Sequence, residues 1–258
     1  MKSDCHMTPP DLQIVPSRLA LFLDIDGTLA PVTPRPEQSR IPLTTRRLLG
    51  ELLSHDVAVA ALSGRPLAQV RRLLHPLGLA AGGSHGAQFS FRAGRVMNLS
   101  PRVPSRLIQT LEAGVSNMPG VWVERKPGAV AVHWRQAVDL SSAVDDLVHQ
   151  ALRRAPGWCV MPGRCVHEVK LKSRHKGRAL RRLMRQPEFA GRWPLAIGDD
   201  RTDEDAFEAA LALGGGAIRV GPARETLAPW QLADAGALVQ WLRRQQILLK
   251  GRRRVIGK

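Results

Sequence analysis

The sequence predicts an α/β protein: a Rossmann-like core built on a parallel sheet, with an inserted, smaller α+β cap domain. Short apolar runs alternate with amphipathic stretches at both ends of the chain, a pattern typical of a parallel sheet with helices on its faces. In the middle of the chain the apolar runs come in pairs around turn sequences, as the strands of an antiparallel sheet do. We therefore expect a core of residues 1–98 and 172–258 and a cap of residues 99–171.

The first part of the core is predicted to alternate between strands and helices. Its strands are compact apolar runs, and its first helix has leucines at the helical period. The second helix has Pro66 at its first position, where the missing N–H group costs nothing. The predicted strands are residues 19–23, 57–62 and 79–81, and the predicted helices are residues 44–54 and 66–74. A turn-rich segment at residues 82–86 follows.

The middle of the chain is predicted to contain one unit twice, a helix followed by two strands. The strands of each pair are joined by turn sequences, Lys126-Pro127-Gly128 in the first unit and Pro162-Gly163-Arg164 in the second. The predicted helices are residues 102–118 and 139–153, and the predicted strands are residues 121–125, 129–134, 158–161 and 165–169. These strands should form a small antiparallel layer of their own.

The alternation of helices and strands returns at Lys176, so the middle is predicted to be inserted into one α/β domain. The predicted helices of this last part are residues 176–185, 202–211 and 233–246, and the predicted strands are residues 195–197 and 217–220.

The balance of charge is strongly basic, with 38 Lys and Arg residues against 22 Asp and Glu residues and a net charge of +16. Nucleic-acid-binding proteins are also basic. The arginines are, however, spread over predicted helix faces, and the dense run from Arg243 to Lys258 lies at the chain end. No zinc-finger, aromatic RNA-binding or Gly-x-x-Gly motif accompanies that run. We expect solvated helix faces, a frayed basic tail and no nucleic-acid partner.

The remaining composition, 44% apolar and 23% charged, is that of an ordinary soluble globular protein. No apolar run is long enough to predict a membrane span, and residues 1–16 lack the apolar core of a secretory signal. We therefore expect a cytoplasmic monomer without a membrane partner. Three cysteines do not make a disulfide framework, and Cys159 and Cys165 are predicted to be half-buried packing residues.

Two carboxylates follow the first predicted strand, in the segment Asp24-Ile25-Asp26-Gly27-Thr28. Alternation places Asp24 and Asp26 on one side of the extended chain. They lie at the carboxyl end of a buried strand, where open α/β sheets bind ligands. Two carboxylates this close repel each other, which favours protonation of one or a cation between them. The same pattern also occurs in ordinary turns, so this motif alone leaves both interpretations open.

A second acidic segment, Gly198 to Asp205, follows another predicted strand. Helix capping by Thr202 accounts for the acids from Asp203 onward. Capping does not account for Asp199 and Asp200, which precede the predicted cap. Two acidic strand ends in one sheet indicate a divalent ion between them, and a small set of oxygen ligands favours magnesium.

Two further polar residues complete the predicted site. Ser63 ends the second predicted strand, where a hydroxyl and an N–H group can hold a phosphate oxygen. Lys176 opens a helix and brings an ammonium group and a helix N-terminus to the same edge of the sheet. Surface lysines are common, but four such elements, each at a strand end or a helix start, together favour a phosphate site.

These four segments resemble the signature motifs of the haloacid dehalogenase superfamily of phosphatases. Within it, the chain is similar to the trehalose-6-phosphate phosphatase family, in colinear order from about Leu19 to Trp241. The similar segments include Leu62 to Arg65, Ser84 to Ala87, Glu124 to Lys126, Val132 to Gln136, Gly163 to Lys170 and Gly198 to Glu204. The departures are local: Leu171 and Ser173 stand where the family usually has a Pro and a Gly, and His175 replaces a small polar residue.

The resemblance implies a reaction and the residues that carry it out. Asp24 would attack phosphorus and form an aspartyl-phosphate. Asp26 would protonate the leaving sugar oxygen and then deprotonate the attacking water. Ser63 and Lys176 would bind the phosphoryl oxygens. The implied ligands of Mg²⁺ are a side-chain oxygen of Asp24, the backbone carbonyl of Asp26 and Asp199, supported by Asp200 and Asp203.

The resemblance also implies residues that bind a small-molecule sugar phosphate. They are Arg65, His85 and Gly86 in the core and Glu124, Lys126, His133, Arg135 and Glu168 in the cap. Carboxylates and amides suit a hydroxyl-rich ligand because they accept paired hydrogen bonds. Two alternatives stay open: a phosphatase for another sugar phosphate such as sucrose phosphate, and a basic nucleic-acid-binding protein without hydrolytic activity.

Overall fold

The structure is a computed structural model that describes residues 7–12, 15–33, 36–92 and 94–256. Its strands are β1 (Leu19–Leu23), β2 (Ala58–Leu62), β3 (Ala80–Gly83), β4 (Gln88–Ser90), β5 (Val96–Asn98), β6 (Trp122–Lys126), β7 (Ala129–His133), β8 (Trp158–Gly163), β9 (Val166–Leu171), β10 (Trp193–Gly198), β11 (Gly216–Val220) and β12 (Trp230–Leu232). Its helices are α1 (Leu43–Ser54), α2 (Leu67–Leu74), α3 (Ser105–Val115), α4 (Ser141–Leu152), α5 (Lys176–Leu183), α6 (Glu204–Ala212) and α7 (Ala235–Ile256).

The chain divides into two compact units, one of Met1–Met97 with His175–Lys258 and the other of Asn98–Arg174. None of the described helices has both the length and the apolar character that crossing a lipid bilayer requires.

A sheet of eight strands, in the order β12-β11-β10-β1-β2-β3-β4-β5, organises the larger unit. The strands from β12 to β3 run parallel, and β4 runs antiparallel to β3. Because β1 lies between β10 and β2, the carboxyl ends of these three strands meet at one edge of the sheet. The predicted α/β fold with a parallel core sheet is confirmed.

The central strands are buried on both faces. Every residue of β1 and β2 is buried, which explains why both strands are continuous apolar runs in the sequence. Leu49 and Leu52 of α1, each 0% exposed, belong to the same core. Truncating such a leucine to alanine typically costs about 2–5 kcal/mol of stability, so this packing stabilises the core sheet and α1 together. β11 is equally buried although it contains Arg219.

The smaller unit contains a four-stranded antiparallel sheet in the order β6-β7-β9-β8. One face is apolar: Val130, Val132 and Val169 share a core with buried residues of α3 and α4. Because side chains alternate across a strand, Glu124 and Glu168 stand on the opposite face, where the register places both beside the same residue of β7. The predicted separate antiparallel layer is confirmed.

Several local features differ from the prediction. The prediction lacks the strands β4, β5 and β12. Each of them has only three residues, which is too short for a periodic pattern to be recognised. Pro66 is the N-cap of α2 rather than its first residue. The β8–β9 hairpin turns at Arg164-Cys165, since Gly163 pairs with Val166. The basic tail, predicted to fray, is helical to Ile256.

Both described cysteines, Cys159 and Cys165, are free and half buried, as predicted. Of residues 1–16, residues 1–6, 13 and 14 lie outside the described residues.

Candidate active site

Acidic side chains from two neighbouring strands meet at the carboxyl edge of the sheet. Asp24 follows β1 and Asp199 follows β10, and the register pairs Leu23 with Ile197. The amide of Asp24 donates a hydrogen bond to the carbonyl of Ile197 (2.9 Å). Carboxylate oxygens of Asp24, Asp199 and Asp203 lie within 4.8 Å of one another. The two acidic segments therefore share one site.

Lys176 is the buried cation of this site. Its Nζ donates to Oδ1 of Asp24 (2.6 Å) and to Oδ1 of Asp203 (2.7 Å), and all three side chains are at most 6% exposed. Lys176 begins α5, and α5 packs closely on α6: a Cβ on Gly177 would lie 2.1 Å from the carbonyl oxygen of Asp205. Glycine at this position therefore allows the two helices to approach and brings the lysine to the acidic edge.

Burial makes the ionised carboxylates costly. Burial raises the pKa of Asp24 to about 7, although Lys176 acts in the opposite direction. Burial and the neighbouring Asp203 raise the pKa of Asp199 to about 6. The pKa of Asp203 is also raised, mainly by burial. Burial alone would lower the pKa of Lys176, but the carboxylates of Asp203 and Asp24 outweigh it and raise that pKa. When all three carboxylates are ionised, the single positive charge of Lys176 does not balance their negative charges.

Two glycines make room for the carboxylates. Gly27 has φ +92°, and a Cβ there would lie 2.0 Å from Oδ2 of Asp199. A Cβ on Gly198 would lie 2.1 Å from Cγ of Asp203. Any larger side chain at either position would displace a carboxylate, so the Asp-Gly and Gly-Asp orders in the sequence reflect steric need.

Asp200 and Asp203 shape the turn that carries Asp199. Oδ1 of Asp200 accepts from the amide and the hydroxyl of Thr202 (both 2.7 Å). Oδ2 of Asp203 accepts from the amides of Asp199 and Asp200 (both 3.2 Å). The prediction that Thr202 is the cap, and that capping leaves Asp200 unexplained, is wrong: Asp200 is the N-cap and closes a capping box with Asp203.

Asp26 has partners of its own, outside the cluster of three carboxylates. The Arg65 guanidinium binds it in a fork, Nε to Oδ2 at 2.5 Å and Nη2 to Oδ1 at 2.7 Å. The hydroxyl of Ser39 donates to Oδ1 of Asp26 (3.0 Å). The amide of Arg65 donates to Oγ of Ser63 (3.1 Å), so the fork also ties Asp26 to the end of β2.

Ser63 and His85 form a compact loop cluster at the ends of β2 and β3. Ser63 is buried, its amide donates to the carbonyl of Gly82 (2.9 Å), and its carbonyl accepts from the amide of His85 (3.1 Å). His85 and Gly86 are buried and have positive φ values of 51° and 85°. A Cβ on Gly64 would lie 2.7 Å from the His85 ring, so this ring packs directly on the loop after Ser63.

Four of the predicted sugar-binding residues of the cap form one network. Nζ of Lys126 donates to Oε2 of Glu168 (2.9 Å) and lies 3.8 Å from Oε2 of Glu124. Nε2 of His133 lies 3.0 Å from Oε2 of Glu124. The His133 ring stacks on Trp122, with centroids 4.0 Å apart and an interplanar angle of 10°.

The fifth predicted cap residue, Arg135, is exposed beyond the end of β7, and the described residues offer it no hydrogen bond or ion pair. The sequence prediction omits Ser39 and Trp122. The alternation of Trp122, Glu124 and Lys126 along one strand is a signal that could have identified the tryptophan. Ser39 lies in an irregular segment and carries no comparable signal.

Comparison with known proteins agrees with this geometry. A family profile described as "Trehalose-phosphatase" matches residues 22–234. The trehalose-6-phosphate phosphatase of Escherichia coli (strain K12) is 32% identical over 229 residues, covering 88% of this chain and 86% of that protein. The "Probable trehalose-phosphate phosphatase" of Sinorhizobium fredii is 38% identical over 206 residues, covering 79% of this chain and 78% of that protein.

Among solved structures, the C-terminal domain of the C. albicans trehalose-6-phosphate phosphatase matches with a TM-score of 0.73, covering 89% of this chain and 92% of that one. Its sequence identity is 23%, so this similarity concerns the fold. The family profile and the two relatives extend the similarity to the sequence, and on them the chain belongs to the trehalose-phosphatase family, as its motifs predict.

Proposed function

We propose that the protein is a magnesium-dependent phosphatase that hydrolyses trehalose 6-phosphate to trehalose and phosphate through an aspartyl-phosphate. The observation that carries this proposal is the buried group of Asp24, Lys176, Asp199 and Asp203 at the carboxyl edge of the sheet. A nucleophilic carboxylate and a phosphate are both negative, so the site must supply positive charge where they meet. Membership of the family supports the choice of sugar.

Asp24 is the nucleophile in this proposal. One carboxylate oxygen of Asp24 forms a bond to phosphorus while the bond between phosphorus and the sugar oxygen breaks. The sugar oxygen, as it leaves, takes a proton from Asp26. Water then attacks the phosphorus of the aspartyl-phosphate and gives its proton to Asp26. Phosphate leaves, and the Asp24 carboxylate is restored. Lys176, which already contacts Asp24, stabilises the negative charge of the phosphoryl group together with Ser63.

The donor set fits a hard divalent cation. The three clustered carboxylates offer oxygen atoms only, which suits Mg²⁺ better than a metal that prefers nitrogen or sulfur. Their raised pKa values indicate that the ionised cluster lacks positive charge. We propose that Asp24, the backbone carbonyl of Asp26 and Asp199 hold the ion, with Asp200 and Asp203 in support. When bound, the ion offsets the repulsion between the carboxylate and the phosphate.

The cap network supports a role in sugar binding. Glu124, Lys126, His133 and Glu168 present two carboxylates, an ammonium and an imidazole on one polar sheet face, and Trp122 adds an aromatic surface. We propose that the hydroxyl groups of the disaccharide bind to these side chains.

Phosphate release from a panel of sugar phosphates tests the proposed substrate. With magnesium present, we expect kcat/KM for trehalose 6-phosphate to exceed that for glucose 6-phosphate or sucrose 6-phosphate by about 10²-fold or more, since unpaired polar groups in a sugar site penalise the wrong ligand. Removal of magnesium with a chelator should abolish hydrolysis of all three. Equal turnover across the panel would exclude trehalose 6-phosphate as the specific substrate. Salt-sensitive binding of nucleic acid without hydrolysis would favour the non-enzymatic alternative.

The stabilising effect of magnesium should increase with pH. In the metal-free folded protein the raised pKa values of Asp24 and Asp199 keep protons bound above pH 3.8, the ordinary value of both groups. Stability of the metal-free protein therefore falls as pH rises through the window up to about 7. Magnesium competes with those protons for the carboxylates. Saturating magnesium should therefore increase the free energy of unfolding by about 2–3 kcal/mol near pH 8 and by much less near pH 5. Thermal unfolding with and without magnesium measures both values. Equal gains at the two pH values would contradict the assignment of these ligands.

Replacing Glu168 by Gln should weaken sugar recognition and spare the chemistry. The change keeps the shape but removes the charge that pairs with Lys126. We expect KM for trehalose 6-phosphate to rise by about tenfold, while turnover of a small aryl phosphate without sugar hydroxyls stays unchanged. Glu112→Gln is the matched control, because Glu112 pairs with Arg125 in the same unit without belonging to the network. Loss of activity on the aryl phosphate would indicate a structural role instead.

A further inference from the structure

Arg219 is a charged residue inside a buried strand. It is the fourth residue of β11, the residue is 3% exposed, and all five residues of the strand are buried. Strands buried on both faces of a parallel sheet are normally apolar throughout. The register pairs Arg219 with Gly198 of β10, the residue immediately before Asp199. The exception to the apolar pattern thus lies directly beside the acidic edge.

The guanidinium joins two backbone segments. Nη1 donates to the carbonyl of Asp199 (3.0 Å), and Nε and Nη2 both donate to the carbonyl of Pro222 (3.2 and 3.0 Å). The loop at Pro222 is itself held to β12, because the amide of Gly221 donates to Leu232 (2.9 Å). Arg219 therefore fastens the Asp199 peptide to a segment that the sheet already fixes.

The charge of Arg219 is not compensated by a direct ion pair. Among the described residues no carboxylate oxygen lies within 4 Å of its guanidinium nitrogens. Burial and the nearby Arg224 lower its pKa, whereas Glu204 and Asp199 act from a distance in the opposite direction. A guanidinium stays charged in proteins. Burying it without a paired carboxylate is expensive, and an apolar side chain would suit the strand better. Stability of β11 alone therefore does not explain this residue.

We propose that Arg219 is a positioning residue of the phosphatase site, which holds the Asp199 carbonyl so that the Asp199 carboxylate faces Asp24 at the site of the divalent cation. The proposal rests on the proposed function, because it assigns a role toward the metal that this function requires. Partners that orient a metal ligand typically change metal affinity or activity by about 10–100-fold when they are lost.

Arg219→Met tests this role against a matched control. Arg46→Met also removes a guanidinium that donates to a backbone carbonyl, that of His75 (2.9 Å), but away from the acidic segments. In Arg219→Met we expect the magnesium concentration for half-maximal activity to rise by about 10–100-fold, with KM for the sugar phosphate little changed. The magnesium-dependent rise in unfolding temperature, measured without substrate, should shrink in parallel. Effects no larger than those of Arg46→Met would overturn the proposal.

A metal-free measurement separates this proposal from the proposed function. The amides of Asp199 and Asp200 donate to Asp203, and this turn should open more often once its anchor is lost. We expect their hydrogen exchange to accelerate by about tenfold in Arg219→Met and not in Arg46→Met. Arg219→Lys keeps the positive charge but cannot donate to both carbonyls as the guanidinium does, so its hydrogen exchange should accelerate by less than in Arg219→Met. This variant replaces Arg219→Met in the experiment if the Met variant does not fold. Unchanged exchange overturns the proposal whether or not the protein is a phosphatase.

Discussion

Replacing Asp24 by Asn should abolish phosphate release and leave the fold intact. Asn keeps the shape and the acceptor oxygen that Lys176 contacts, but an amide cannot form the acyl phosphate. We expect kcat for trehalose 6-phosphate to fall by about 10⁴-fold or more, as when other covalent nucleophiles are removed. Initial rates of phosphate release from the purified variant measure the loss.

Two controls make this result specific. Asp146→Asn makes the same chemical change at an exposed position of α4 and should retain full activity. Thermal unfolding of Asp24→Asn without metal at about pH 8 should show a protein at least as stable as the unmodified one, because burial raises the pKa of Asp24 to about 7 and the buried cluster then carries one negative charge fewer. A fully active Asp24→Asn variant would exclude Asp24 as the nucleophile.

Replacing Lys176 by Met should have the largest effect on stability. The ammonium is 3% exposed and contacts two buried carboxylates, so its loss leaves both without a counter-charge. Removal of one partner from a buried ion pair typically costs about 3–5 kcal/mol. We also expect kcat to fall by about 10²–10³-fold, because the phosphoryl group loses a cation aimed at it. Denaturant unfolding without metal, together with initial rates, checks both values.

The stability loss in Lys176→Met should depend on pH. Asp24 and Asp203 have raised pKa values even with the lysine present, and without it their protonated forms are favoured further. The penalty is therefore present in full above the folded pKa values and declines as pH falls below them, so the loss near pH 5 should be well under that near pH 8. Lys172→Met, at an exposed position, should change stability at neither pH. A loss independent of pH would indicate a packing defect instead of unpaired charge.

The sequence is most informative where burial is most complete. β1 and β2 are predictable because every residue of both strands is buried, and a strand buried on both faces is a continuous apolar run. The hairpin units of the cap are predictable because turn residues separate their strands. The short strand β5 is not, since two of its three residues are exposed and no periodic pattern develops.

Local sequence predicts less well which side chains meet within the site. The place of Asp24 and Asp199 follows from strand order, but the fork of Arg65 on Asp26 depends on how the loops after β1 and β2 fold back. The predicted cap at Thr202 lies two residues too late: Asp200 is the N-cap, and the segment from Asp200 to Asp203 offers several side chains that can cap a helix, between which local sequence does not decide. Arg219 lies between apolar residues and belongs to no recognised motif, so the sequence prediction omits it. A lone arginine in an otherwise apolar, buried strand is nevertheless a signal that could have identified it.

The position of β1 between β2 and the much later β10 has a consequence for the newborn chain. Lys176 follows Asp24 by 152 positions, so translation at about 5–20 residues per second separates their synthesis by roughly 8–30 seconds. Throughout that interval neither the ammonium of Lys176 nor the acidic segment after β10 is available to Asp24. Under the proposed mechanism the nascent fragment therefore lacks a complete site, which can form only after β10 has added to the free edge of β1.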